Sequence, residues 1–239
     1  MRVYRADLHL HTILSPCGDY GMMPTAIVSK AKAMGLDIIA VTDHNIAANV
    51  FAVQEAGEKE GLTVIGGMEI CSEEEVHLLA YFDKDRDLLN MEEIVLNNLP
   101  GKNDPETFGD QVLLDSSNKI LGVSEKLLFG ATTLTIDKVV ELVHQNHGMV
   151  IASHVDREAF SIISQLGFIP EGIDLDGIEI VNPVEGSTGV MYGFPFISSS
   201  DAHYIEDIGK RTTSFRLETA SVNEIILAIK AKDGRGVIL

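Results

Sequence analysis

The sequence predicts an α/β fold built on a largely parallel sheet, on three observations. Short β-rich runs alternate with helix-length segments through most of the 239 residues. Gly35, Gly61, Gly148 and Gly167 each stand just past a helical run, where a left-handed residue favours closure. Histidines and carboxylates gather at the ends of the β-rich runs rather than being scattered. Strand, helix, glycine and strand in repetition is the signature of parallel α/β units.

Taken in order, residues 4–9 form the first predicted strand. A helix follows over 25–34, begun by Pro24, whose fixed φ suits a helix start. A strand at 37–42, a helix at 49–60 and strands at 62–69 and 76–81 continue the rhythm. Between about 83 and 135 it breaks. Pro100-Gly101 and Asp104-Pro105 interrupt that stretch, and residues 111–114 face 119–123 as a hairpin across Asp115-Ser116-Ser117-Asn118. The segment reads as an insertion or lid over one end of the sheet, too small for a domain. Beyond it come a helix at 137–147, a strand at 149–153, a helix at 157–166, strands at 177–181 and 195–200, and a last helix at 221–231. The expectation is one barrel domain over 1–239.

Hydrophobic residues make up 45% of the chain, enough for a sizeable core. The formal net charge is -18. A long nucleic acid held through its backbone wants a basic surface, so this balance disfavours one. Bound metals can still place positive charge inside an acidic shell, which leaves a nucleotide or short oligonucleotide open. Cys17 and Cys71 suggest no disulfide framework. The apolar runs fall far short of the ~18 residues that a membrane helix needs. A cytoplasmic globular protein without membrane contact is expected.

The residues that carry chemistry end the strands. His9-Leu10-His11 closes the first, Asp43-His44 the second and Glu69 the third; His77 lies in the fourth, His154 ends the fifth, and Asp201-Ala202-His203 follows the last. Each piece alone has an ordinary explanation, as a helix cap, an ion-pair partner or a core histidine. Together they hold six of the eight histidines, on the face where a parallel barrel builds its site. Buried charge there is costly unless paired or metal-bound. Imidazoles mixed with carboxylates suit zinc, manganese or iron better than calcium or magnesium alone. So many donors exceed the needs of one ion, and Glu69 could bridge two. His144 and His147, at a helix end, complement its dipole and read as structural. Cys71 reads as structural too.

In this order, Asp7-Leu8-His9-Leu10-His11, Val41-Thr42-Asp43-His44, Gly67-Met68-Glu69, His77, Ser153-His154 and Ser200-Asp201-Ala202-His203 resemble the PHP family of polymerase and histidinol phosphatase proteins. The resemblance implies a distorted (β/α)7 barrel, TIM-like, with a metal centre of two or three divalent ions (Zn, Mn or Fe). It implies that His9, His11, Glu69 and Asp201 hold the first ion. Glu69, His77 and His154 hold the second, and His44 and His203 contribute to a third, with Asp43 orienting its neighbours. The family usually adds an Asp or His shortly after the His-x-His pair. Here Cys17 has the spacing and Asp19 the chemistry, and Asp19 is preferred; without either, the centre is dinuclear or its third ion weakly held.

The expected function is a metal-dependent phosphohydrolase, cleaving a phosphate monoester or terminal phosphodiester of a small molecule or nucleotide through a metal-activated hydroxide. Arg157, three residues past His154, offers planar contacts to phosphate. Asp43 and Arg157 are thus the candidate catalytic residues, while Lys210 and Arg211 read as surface charge. One alternative is an exonuclease trimming short oligonucleotides, which would want an aromatic platform; aromatics are only 6%, with no tryptophan. Another is a non-catalytic regulatory or accessory module, against which the nearly full donor set stands.

Overall fold

The computed structural model describes residues 1–182 and 190–238. The first half runs β1 (Arg2–Leu10), α1 (Pro24–Ala33), β2 (Ile38–Val41), α2 (Val50–Glu60), β3 (Thr63–Cys71), β4 (His77–Phe82) and α3 (Asp85–Asn97). A short α4 (Pro105–Phe108) and the strands β5 (Val112–Leu114) and β6 (Ile120–Val123) follow. The second half runs α5 (Ile136–Gln145), β7 (Met149–Ala152), α6 (Ile162–Leu166), β8 (Gly177–Glu179), β9 (Val190–Met191), β10 (Phe194–Ile197), β11 (Thr213–Leu217), α7 (Val222–Ile229) and β12 (Gly236–Ile238).

Ten strands share one sheet, in the order β12-β11-β1-β2-β3-β4-β7-β8-β10-β9, while β5 and β6 pair as the anticipated hairpin. The sheet curls into a half-barrel. The chain beyond β10 returns to β1, where His11 N–H donates to the Ala202 carbonyl at 3.0 Å and Ala202 N–H to the His9 carbonyl at 3.2 Å. Farther down β1 its neighbour is β11, running antiparallel.

The α/β class holds, but the sheet is not uniformly parallel. β4 runs antiparallel to both β3 and β7. Only residues 72–76 separate β3 from β4. A parallel crossover needs a dozen or more, so a turn back was the available solution.

Two apolar layers follow from the alternation of side chains. Ile39, Val41, Leu78, Ala80 and Val150 pack outward against Ile27, Val53, Met91 and Val143 of the helices. Ala6, Leu8, Ala40, Leu79, Tyr81 and Ile151 fill the concave side with Ile225 of α7. In β1 this alternation is broken: Ala6 and Leu8 face inward, yet Leu10 belongs to the outer layer. The pairing of β1 with β2 shifts register between Asp7 and Leu10. That irregularity turns His9 and His11 toward the mouth.

Three local expectations are corrected. Within 83–135, α3 is a regular outer helix whose Leu88, Met91 and Val95 join the core, so the irregular part starts later. The helix anticipated at 157–166 is only α6, opened by a capping box on Ser161, and Arg157 lies in the turn before it. After α5 it is His147, at φ +60°, that takes the left-handed turn instead of Gly148. Gly148 is needed for space, since a Cβ there would meet Phe82 at 2.5 Å.

Candidate metal centre

The mouth of the curl gathers His9, His11, His44, Glu69, His77, His154, Asp201 and His203. Antiparallel β4 supplies His77 from its first residue, which puts it beside strand ends that run the other way. Glu69 is the hub. Its Oε1 lies 3.1 Å from His77 Nδ1, 3.2 Å from His154 Nε2 and 3.4 Å from His9 Nε2. Its Oε2 lies 3.1 Å from His44 Nδ1 and 3.4 Å from His11 Nε2. All five rings and the carboxylate are buried.

Hydrogen bonds behind the rings fix which nitrogen faces the mouth. His9 Nδ1–H donates to both oxygens of Glu179, at 3.0 and 3.2 Å, which turns Nε2 inward. The Ser15 hydroxyl donates its one proton to Asp43 Oδ1 at 2.6 Å. It can therefore only accept from His11 Nδ1–H at 3.0 Å and from His44 N–H at 3.2 Å, leaving His11 Nε2 with its lone pair. His203 Nδ1–H donates to the Asp201 carbonyl at 2.9 Å. Asp43 is itself held by Thr12 N–H and Thr12 Oγ1, at 2.7 and 2.8 Å. It does not line the cavity, and acts by placing His11 and His44 through Ser15.

The donor set fits divalent ions. His9 Nε2, His11 Nε2 and Asp201 Oδ1 form a triangle with edges of 3.1, 3.2 and 3.2 Å. Nitrogen ligands about 2.0–2.1 Å from a tetrahedral ion would stand roughly 3.3 Å apart. At the same time Asp201 Oδ1, His77 Nδ1 and His154 Nδ1 are buried without hydrogen-bond partners. Buried polar atoms are rarely left so. Among the described residues, three groups could each hold a metal: His9, His11 and Asp201; His44, Glu69 and His77; and His11, Cys17, His44 and His203.

Charge in the centre is divided by these contacts. Burial opposes ionisation of Glu69, but His77, His9 and His44 overcome it and hold the carboxyl well below its usual range. For Asp201, burial is likewise outweighed, here by His9 and His11. Burial would lower His9, yet Asp201, Glu179 and Glu69 raise it well above an ordinary histidine. His44 is pushed well down by burial and by the neighbouring His11, and His203 is pushed down to about 4 for the same reasons.

Asp19 does not join them. It is exposed, and its Oδ1 accepts from Gly21 N–H at 2.7 Å to close a turn. A loop folded so tightly that a Cβ on Gly18 would lie 2.2 Å from the Thr12 carbonyl points Cys17 inward instead. Arg157 reaches the mouth and pairs with Asp201 through Nη1. Lys210 pairs with Asp207 at the surface. Glu179 escaped notice in the sequence; its signal was a lone carboxylate in the apolar run Gly177-Ile178-Glu179-Ile180.

The cavity has a volume of about 160 Å³. Phe129 and Phe160 line one side, edge to face at 6.0 Å, and Phe160 stacks on His77 at 4.6 Å. Asn45 Nδ2 draws the Phe129 loop inward by donating to the Leu128 and Gly130 carbonyls, both at 2.9 Å. Non-glycine residues with positive φ cluster here, at Asn45, His154, Phe160 and Asp201. Such backbone is costly, and it concentrates where side chains must be aimed.

A PHP domain model matches residues 7–167, and a PHP-associated model matches residues 191–233. The chain is 28% identical over 216 residues to the DNA polymerase III PolC-type of Lacticaseibacillus paracasei, covering 75% of this chain and 14% of that one. It is 33% identical over 82 residues to the 5'-3' exoribonuclease of Haemophilus influenzae, covering 33% and 29% respectively. It thus spans a minor part of either relative. Among solved structures, a lesion-specific endonuclease from Pyrococcus furiosus superposes with a TM-score of 0.76 at 18% identity, over 100% of this chain and 58% of that one. A Bifidobacterium adolescentis protein assigned as a metal-dependent phosphoesterase superposes at 0.56 and 20% identity, over 98% and 97%. At these identities the likeness to both structures is one of fold.

Proposed function

The chain belongs to the PHP domain family, and on that premise we propose that it is a metal-dependent hydrolase that cleaves a phosphate monoester or terminal phosphodiester of a nucleotide or other small phosphorylated molecule. The observation that carries the reading is Glu69, a buried carboxylate within 3.4 Å of nitrogens from five histidines. His9, His11 and Asp201 would hold one ion with Glu69, His77 and His154 a second with Glu69, and His44 and His203 a third. Zinc, manganese or iron suits this donor set. Two close divalent ions, when bound, supply Lewis acidity toward phosphoryl oxygens and an acidified water for in-line displacement.

The chain's own residues do the rest. Arg157 spends one nitrogen on Asp201 and keeps guanidinium donors for a phosphoryl oxygen at the rim. Glu179 and Asp43 keep His9 and His11 turned toward the mouth. A cavity of about 160 Å³ accepts a phosphoryl group and the first atoms of its ester, while the remainder lies outside. Phe129 and Phe160 offer that remainder an apolar wall.

The same wall favours a second reading, the trimming of short oligonucleotides from an end, because every base has a face that stacks on an aromatic ring. Relatives named as a DNA polymerase and an exoribonuclease support it. Both readings are tested together by supplying manganese or zinc with a chromogenic phosphomonoester, a chromogenic bis-ester and a 5'-labelled short oligonucleotide. Turnover of at least one, lost in His9→Ala, is expected. A folded, metal-loaded protein inert toward all three refutes the proposal.

A further inference from the structure

Resting on the reading of the mouth as a metal centre, we propose that Cys17 is a ligand. Its thiolate, with His44 and His203 and with the His11 ring packed against both, supplies a sulfur ligand to the third ion's site, apart from the two sites centred on Glu69. A thiophilic ion, zinc or cobalt in preference to magnesium or manganese, is what it would take.

Four donor atoms, one from each of these residues, lie within 4.8 Å of one another. Cys17 lines the same cavity as His44, His203 and the buried, unpartnered Oδ1 of Asp201. The loop that carries Cys17 is tied to each of the other three donors. Ser15 Oγ meets His11 Nδ1 at 3.0 Å and His44 N–H at 3.2 Å. Asp19 N–H donates to the His203 carbonyl at 2.8 Å. Within the loop Gly18 N–H donates to the Ser15 carbonyl at 2.8 Å, so the sulfur sits between two anchored residues. The hydrogen bond of His203 Nδ1–H to the Asp201 carbonyl leaves Nε2 of that ring to accept an ion. On binding, the S–H proton leaves to solvent as the metal–sulfur bond forms. Asp19 then serves by its backbone, where its side chain had seemed the better ligand.

Titration of the chelator-treated full-length chain with cobalt(II) tests this spectroscopically. The wild type should show a near-ultraviolet sulfur-to-cobalt charge-transfer band. The band should vanish in Cys17→Ser and Cys17→Ala, which should also bind one equivalent less, and it should persist in Cys71→Ala. Full cobalt binding without a sulfur band, or a band surviving in Cys17→Ala, overturns the Cys17 assignment while leaving the Glu69 sites standing. Failure of the wild type to bind cobalt at all overturns the metal-centre reading and this inference with it.

Discussion

Histidines meet carboxylates in two regions of this molecule, and the two are finished differently. On the outside, His144 at the end of α5 donates from Nε2 to Asp176 at 3.1 Å. Asp176 also accepts from Val150 N–H and from Lys230 Nζ, each at 3.1 Å, so its charge is balanced within the protein. At the mouth the acids and rings are more deeply buried, yet Asp201 Oδ1, His77 Nδ1 and His154 Nδ1 find no hydrogen bond. Protein interiors tolerate few such atoms. The outer cluster is complete as a stabilising contact, whereas the inner one is arranged around groups that the chain itself does not supply. Substitutions should therefore cost activity at the mouth and stability at α5.

The largest effect is expected from Glu69→Gln, which removes the charge shared by five rings. Turnover should fall on the order of 100-fold or more, comparable to losing a charge-stabilising group, with the circular dichroism of the fold retained. Activity within a few-fold of wild type would erase the distinction between the regions. Glu179→Gln comes next. It keeps the shape behind His9 but removes a carboxylate acceptor, and metal affinity should drop about 10–100-fold, read by competition with a chromogenic chelator.

Phe160→Ala sharpens the contrast within the mouth. It should weaken use of a base-bearing ester by about 1–3 kcal/mol, mostly in KM, and leave a small alkyl phosphate nearly unchanged. Equal losses on both would deny Phe160 a part in holding the leaving group. The smallest effect belongs to His144→Ala, about 1 kcal/mol of stability with unaltered kcat. The hydrogen bond to Asp176 raises His144 above an ordinary histidine. Its contribution is therefore complete below the unfolded value of about 6.5 and is lost as pH rises through the folded one. Denaturant midpoints of wild type and variant should converge on going from pH 5 to pH 9.

Much of this was legible in the amino-acid order. His9, His11, Asp43-His44, Glu69, His154 and Asp201 stand at strand ends because the polar residues interrupt apolar runs there, and that interruption survives without coordinates. Strand direction does not: His77 has the same alternation whether β4 runs up or down, and only the five-residue link at 72–76 betrays it. α3 hid behind its acidic surface, although Leu88, Met91 and Val95 carry helical spacing. Which of Cys17 and Asp19 faces the mouth was beyond reach, since a loop has no period and the close approach of Gly18 to Thr12 sets its direction.

Metal content per chain reaches the central claim most directly. After loading with zinc or manganese and removal of excess, elemental analysis of wild type and His144→Ala should find about two or three ions per molecule, and Glu69→Gln should retain markedly fewer. Equal content in all three proteins, or only traces in the wild type, would contradict the account.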